Sequence, residues 1–263
     1  MAMGQHIRLS VSDHVATITI DRPERKNAMT YGVLNDFIAT VSAAGADPEV
    51  RVVLVTGVPG SFCSGTDLSD LNDTPEGERG LRGSAAERRR WWPLIDIPQP
   101  TICAVDGPAV GMGAEFTSQC DLRLCSPTAR FAWNFVHRGL VPDTGAGTWL
   151  LPRLLGPQRA MELIYTGRFL GADEAKSLGY VLDVIPSDEL VPRAQDLARA
   201  IALGSSPLST RLAKSLVYEA FAGDVSAHMI RHTEAMTTCF ASEDHHEGVA
   251  SFLERRPANF TGR

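Results

Sequence analysis

A chain of 263 residues, 44% of them hydrophobic, is long enough to bury one substantial core with a small helical appendage. Its formal charge of −6 argues against general affinity for nucleic acid or an anionic membrane, while leaving room for a local basic pocket that takes a phosphorylated ligand. The longest apolar stretches, such as Val52 to Val55 and Ile102 to Val105, fall far short of the roughly 20 residues that cross a bilayer. The start of the chain lacks a basic region followed by an apolar run, so neither a secretory signal nor an Arg-rich transit peptide is expected. Cys63, Cys103, Cys120, Cys125 and Cys239 are an odd, scattered set without a CxxC pair or a His at metal spacing. They point to reduced, mostly buried thiols, a cytoplasmic location and no metal site.

In chain order, Val15 to Ile20 alternates as a strand does, and Val50 to Val55 is a second β-branched run ending at Thr56-Gly57. Between them, Ala28 to Ala44 carries Val33, Leu34, Phe37, Ile38 and Val41 at helical spacing. Asn72 to Ala85 is polar, rich in Gly, Glu and Arg, and contains Pro75, which predicts a mobile loop of the kind that lines a substrate mouth. Arg88-Arg89-Arg90-Trp91-Trp92 reads as a helix with its arginines in solvent and its tryptophans turned inward, not as a nucleic-acid contact. The strand and helix pattern recurs as Thr101 to Val105, a helix from about Gly111 to Cys120, and a strand at Asp121 to Cys125. From Pro186 onward only helical patterns occur, broken at Gly204-Ser205-Ser206-Pro207 and near Gly223-Asp224. This alternation predicts an α/β core over residues 1–200 followed by a helical region over 201–263, with no short-period repeat.

Two segments carry candidate chemistry. Phe62-Cys63-Ser64-Gly65-Thr66-Asp67-Leu68 and Val105-Asp106-Gly107-Pro108-Ala109-Val110-Gly111-Met112-Gly113-Ala114-Glu115 each lead from an apolar β-like run through a glycine-rich turn to a helix start. Such turns leave backbone N–H groups without intrahelical partners, and two of them brought together form an oxyanion hole. Glu115, a few residues past the second turn, is placed to move a proton beside the developing negative charge.

Together with Asp21-Arg22-Pro23-Glu24-Arg25-Lys26-Asn27-Ala28, Gly139-Leu140-Val141-Pro142-Asp143-Thr144-Gly145-Ala146-Gly147-Thr148 and Phe252-Leu253-Glu254-Arg255-Arg256-Pro257-Ala258-Asn259-Phe260, these segments resemble the crotonase superfamily, the enoyl-CoA hydratase/isomerase enzymes, over roughly residues 7 to 263. The resemblance implies a spiral of repeated strand-strand-helix units with a C-terminal helical region that builds a homotrimer or a dimer of trimers. It implies an acyl-CoA thioester as substrate, with no cofactor beyond that coenzyme A. The oxyanion donors would be the N–H groups of Thr66 and Met112, where the family usually has a small residue and a glycine. Glu115 matches one catalytic glutamate of the hydratases, but the partner glutamate falls on Phe135, which puts plain hydration in doubt. Asp143 resembles the aspartate that shuttles a proton in the isomerases of phenylacetate degradation, and in dehalogenase relatives that position carries a nucleophilic carboxylate. Arg25, Lys26 and Ala28 would line the adenine and pantetheine path, with Ser64, Asp67, Leu68, Gly111 and Phe135 as further substrate-binding residues. Arg256 and Phe260 match a terminal segment that in relatives covers the nucleotide, often from a neighbouring subunit.

The leading expectation is an enzyme that hydrates or isomerises an enoyl-CoA through an enolate. A second is an acyl-CoA hydrolase or dehalogenase with Asp143 as nucleophile. A third is a CoA-binding or nucleic-acid-binding relative without catalysis, against which Glu115, Asp143 and the acidic balance all speak. Ser61 and Ser64 do not form G-x-S-x-G, and Cys63 has no evident base. His245-His246 beside Asp244 lacks a third metal ligand, and His137, between Phe135 and Asp143, is expected to serve the core or the surface ahead of facing the pocket.

Overall fold

The computed structural model describes residues 5–67, 69 and 92–263. The Asn72–Ala85 loop, Leu68 and the Arg88–Trp91 run therefore lie outside the described residues. A strand not expected from the sequence, β1 (Ile7–Ser12), pairs antiparallel with β2 (Val15–Ile20) through Asp13 and His14, both left-handed at φ 50° and 62°. Its alternating Ile7, Leu9 and Val11 were the available signal, but the turn lacks the glycine that usually marks a two-residue hairpin. Helix α1 (Tyr31–Ala46) begins three residues later than its apolar spacing suggests. Residues before it are otherwise engaged: Met29 bridges to Thr66 as a strand does, and the Thr30 side chain caps the helix by accepting from the Val33 N–H. The α1 stripe of Val33, Leu34, Phe37, Val41 and Ala44 is buried.

Strands β3 (Val52–Gly57) and β4 (Thr101–Val105) follow, then β5 (Pro108–Val110), α2 (Met112–Gln119), β6 (Leu122–Cys125) and β7 (Arg130–Ala132). A 3-10 turn at Asn134–Arg138 and short helices at Ala146–Trp149 and Leu151–Leu155 lead to α3 (Pro157–Thr166), β8 (Leu170–Gly171), α4 (Ala172–Ser177) and β9 (Asp183–Val184). The chain ends in α5 (Ser187–Gly204), α6 (Pro207–Ala220), α7 (Val225–Phe240) and α8 (Glu243–Glu254). The break between α7 and α8, where Ser242 caps the next helix at His245 N–H, has no glycine or proline to announce it.

Two sheets result. The larger runs β1-β2-β3-β4-β6-β9 and is parallel from β2 onward; the smaller runs β5-β7-β8. Each pass of the chain leaves one strand in the large sheet and the next in the small one: β4 then β5, β6 then β7. Cys63 continues this pattern after β3 by bridging to Ala109 in parallel. This is the expected spiral, and it places every turn that follows a central strand at the same end of the large sheet.

Central strands are buried on both faces, as a continuous apolar run requires. Val53, Val55, Cys103 and Val105 face the core containing α1 and α2, while Val52, Leu54, Ile102 and Leu124 meet Leu190, Ala194, Ala198 and Ala202 of α5. Among the described residues no helix is long and apolar enough to cross a membrane.

Helix α6 is locked to the amino ends of the strands by a buried cation. Lys214 Nζ donates to Leu94 O and Gln99 O at 2.9 Å each and lies 3.2 Å from Asp121. Asp121 also accepts from Thr101 N–H at 2.7 Å and Tyr218 Oη at 2.8 Å. Burial pulls the Lys214 ammonium below its ordinary range, and the Asp121 charge opposes that shift. Removing one partner of such a pair leaves the other charge buried without compensation. Lys214→Met is accordingly expected to lower unfolding free energy by about 3 kcal/mol in chemical denaturation. Lys176→Met, in the exposed pair with Asp183, is expected to cause no resolvable loss.

Candidate active site

The first turn is shaped from its neighbours before it reaches Thr66. Lys26 and Asn27 both adopt left-handed backbone, at φ 51° and 57°. The buried Asn27 amide donates to Ser61 O at 2.7 Å and Phe62 O at 3.2 Å, while its Oδ1 accepts from Arg22 N–H at 2.7 Å. Lys26 O accepts from Ser61 Oγ at 2.9 Å and from Ser64 N–H at 3.1 Å. Met29 N–H donates to Gly65 O, and Asp67 N–H returns to Met29 O, each at 2.8 Å. Arg25, Lys26, Ala28, Ser64, Thr66 and Asp67 are thus gathered on one rim.

Val110 N–H donates to Cys63 O at 2.9 Å, which draws the second turn onto the first. The glycines explain how close the two lie. Gly65 has φ 96°, and a side chain there would stand 2.8 Å from Val110 O and 3.8 Å from Met112 N. A side chain on Gly113 would collide with the Cys63 carbonyl. The positive φ in the second turn belongs to Gly111, at 54°, so Met112 opens α2 with ordinary helical backbone and its departure from glycine brings no strain. Among the described residues neither the Thr66 N–H nor the Met112 N–H has an acceptor. Two unpaired donors from touching turns form the preorganised arrangement that an oxyanion needs.

Glu115 sits one turn into α2 and is fully buried. Its Oε2 accepts from Thr144 N–H at 3.1 Å and from Thr144 Oγ1, and its Oε1 accepts from Gly147 N–H at 2.5 Å. Burial pushes the carboxyl up to about 8, with the nearby Asp143 charge adding to the shift and the three donors opposing it. Asp143 is half-buried, and its Oδ1 has no hydrogen-bond partner among the described residues. Burial raises Asp143 to about 6, so it loses its proton first and its charge then helps keep Glu115 neutral. The Asp143 charge also adds to the upward shift of the Cys63 thiol, so its field reaches the turn that carries Thr66.

Phe135 is buried, and its ring lies 3.7 Å from the point where a side chain on Gly111 would begin. The position expected for a second glutamate is therefore an apolar wall. Asp67 is committed elsewhere: its carboxylate pairs with Arg22 at 2.8 Å and accepts from Ser69 Oγ at 2.6 Å, and these partners hold it at about 2. Its contribution is to fix the rim, with no free oxygen offered to a ligand. Arg256 and Phe260 are not brought to this site within one chain. Arg256 pairs with Glu247 and Glu254, and Phe260 O accepts from Arg51 at 2.9 Å, just before β3 begins. The oxyanion turn follows the other end of that strand, and a six-residue strand spans roughly 20 Å.

His137 is exposed and packs against Gly167, as its surface reading anticipates. Four of the five cysteines are buried and all are free; burial pushes Cys63 up to about 12, which leaves it inert. Three contributing residues escaped the sequence reading of function. Asn27 was visible within a matching segment but not as the tie between two turns. Thr144 gave no separate signal, and Trp92, whose Nε1 donates to Thr144 O at 2.7 Å, was legible only as an inward-facing ring.

A family model described as enoyl-CoA hydratase/isomerase matches residues 10–263. The crotonyl-CoA hydratase of Syntrophomonas wolfei is 34% identical over 261 residues, covering 98% of this chain and 99% of that protein. The 1,2-epoxyphenylacetyl-CoA isomerase of Escherichia coli is 34% identical over 267 residues, covering 99% and 100%. An enoyl-CoA hydratase structure from Bacillus anthracis superposes with a TM-score of 0.91 at 30% identity, covering 98% of this chain and 100% of that one. The chain belongs to the enoyl-CoA hydratase/isomerase family, and its two-sheet spiral is the crotonase fold.

Gly113→Ala separates two opposed effects. Helix propensity alone favours alanine by up to about 1 kcal/mol, whereas overpacking against the Cys63 carbonyl costs about 1–3 kcal/mol. Contact geometry is expected to win, so thermal denaturation should show the variant less stable than the parent, with turnover reduced as the two turns part.

Proposed function

We propose that the protein binds an acyl-CoA thioester, stabilises its enolate at the Thr66 and Met112 N–H groups, and moves a double bond within the acyl chain. The observation that carries this reading is the unpartnered Asp143 Oδ1 in a protein whose two touching turns leave the Thr66 and Met112 N–H groups unpaired. A carboxylate that titrates near 6 is ionised at neutral pH and still basic enough to take a proton from carbon next to a thioester. The apolar Phe135 wall removes the second carboxylate that would direct a water molecule, which favours isomerisation over hydration. In the step, the C2–H bond breaks as Asp143 takes the proton and negative charge moves to the thioester oxygen; the Asp143 O–H bond then breaks as its proton passes to C4, the C3–C4 double bond shifts to C2–C3, and the thioester carbonyl reforms.

Arg25 and Lys26, exposed on the rim, would meet the phosphates of coenzyme A, and Ser64, Ala28 and Gly111 would flank the thioester path. Coenzyme A enters as part of the substrate and no further cofactor is needed. If Arg256 and Phe260 cover the nucleotide, they do so from a second copy of the chain. The 201–263 region fits that assembly role, because Ile230, Phe240, Phe252 and Leu253 leave 57% or more of their surface exposed. A homotrimer or dimer of trimers in the cytoplasm is the expected form, which light scattering would measure.

Purified protein should convert a 3-enoyl-CoA to the conjugated isomer much faster than it consumes crotonyl-CoA. Asp143→Asn should lower kcat by about 10²- to 10⁴-fold. For the parent, kcat/KM should rise as pH passes about 6, where Asp143 loses its proton. Comparable loss of crotonyl-CoA absorbance would instead establish a hydratase. Entry of heavy oxygen from labelled water into Asp143 during one turnover would establish a nucleophilic role.

A further inference from the structure

Two carboxyl groups stand in the site, and their surroundings differ in kind. Asp143 leaves Oδ1 without a partner. Glu115 leaves neither oxygen free, because Thr144 engages one through both its N–H and its hydroxyl and the Gly147 N–H engages the other. We propose that Glu115 is a positioning residue and not a proton carrier: it holds the Pro142–Gly147 segment through Thr144 and Gly147, so that Asp143 alone meets the substrate. The substrate in this statement is the acyl-CoA of the reading above.

The packing around Glu115 supports this role. Thr144, the residue after Asp143, is gripped on three sides: Glu115 takes its N–H and hydroxyl, and Trp92 Nε1 donates to its carbonyl at 2.7 Å. With Thr144 fixed, the direction of Asp143 is fixed too. A side chain on Gly147 would run into Glu115 Oε1, the Trp133 ring and Pro142, so the carboxyl is walled in by protein on that side. For Glu115 to reach a substrate carbon it would have to release two buried backbone donors, at about 1–3 kcal/mol for each one left unsatisfied.

Its protonation state agrees. Burial holds Glu115 neutral below about 8, and the Asp143 charge adds to this shift. A neutral carboxyl shares its proton with the Thr144 hydroxyl and accepts from Gly147 through the other oxygen. Glutamine keeps a carbonyl for the Gly147 N–H and an N–H for the Thr144 hydroxyl, gives up only the acceptor that Glu115 offers the Thr144 N–H, and carries no transferable proton.

The test compares variants on α-proton exchange of a saturated acyl-CoA in deuterated water and on 3-enoyl-CoA turnover. Glu115→Ala should lose about 100-fold in kcat, as a misplaced acid/base group does, while KM changes little. Glu115→Gln should restore kcat to within about tenfold of the parent, with the pH limb near 6 retained. Thr144→Val, which keeps the backbone and removes the hydroxyl, should fall between them and serves if the alanine variant fails to fold. Loss of more than about 100-fold in a folded, CoA-binding Glu115→Gln protein would overturn the proposal, since acid/base catalysis is the term that glutamine removes. Infrared spectroscopy supplies an arm that needs no turnover. A carboxylic-acid C=O band at pH 7 should persist in Asp143→Asn and vanish in Glu115→Gln, and its absence from the parent would also overturn the proposal. If the parent exchanges no α-proton with any acyl-CoA, the acyl-CoA reading fails while the infrared arm still decides the state of Glu115.

Discussion

The hydrogen bond from Val110 N–H to Cys63 O, and the bare Gly113 that lets α2 lie against the same carbonyl, govern the rest of the site. They bring into contact two turns that lie about fifty residues apart in the chain. Each turn by itself is a strand end with an unpaired N–H, which water would satisfy. Held together on a two-sheet frame, they keep both donors close, and under the proposed function such preorganised dipoles are where electrostatic catalysis gains most. The glycines at 65, 111 and 113 are the permissive elements, each required by positive φ or by the space a side chain would occupy.

Charge then decides how the two carboxyls divide their work. Placing both in a water-poor site means that ionising one makes ionising the other harder. The half-buried Asp143 keeps an unpartnered oxygen and loses its proton near 6, while the fully buried Glu115 keeps its proton to about 8. Similar side chains thus acquire different states from differences in burial and partners. Phe135 completes the asymmetry, because an apolar ring neither orders a water nor shares a proton.

The C-terminal helices stand in a different relation to this machinery. Lys214, Asp121 and Tyr218 fasten α6 to the amino ends of the strands, and Asp244 binds the tail through Thr261 and Gly262 N–H groups. These contacts secure the region at the end of the sheet remote from the oxyanion turns. They also leave apolar side chains of α7 and α8 facing outward, a surface suited to other copies of the chain.

Much of the architecture was legible without coordinates. Period-two alternation marked β2, β-branched runs marked β3 and β4, and 3.6-residue spacing marked α1 and the terminal helices, because these signals arise from burial along a single element. The glycine-rich segments and Glu115 were also visible as a local pattern, whereas Thr66, Met112 and Asp143 were singled out through the resemblance that their segments bear to the family. The hairpin of β1 and the late start of α1 were not, because the first lacks its usual turn residues and the second is overruled by the Met29–Thr66 bridge. What tertiary structure alone decided was the state of each group. That Asp67 answers to Arg22, that Glu115 is enclosed by Thr144 and Gly147, and that Phe260 lies at the amino end of β3 all depend on partners distant in the chain. Sequence by itself determined which chemical groups this protein owns and the elements that carry them; their protonation, their partners and their access to a substrate follow from burial and long-range hydrogen bonds, which exist only once the chain has closed on itself.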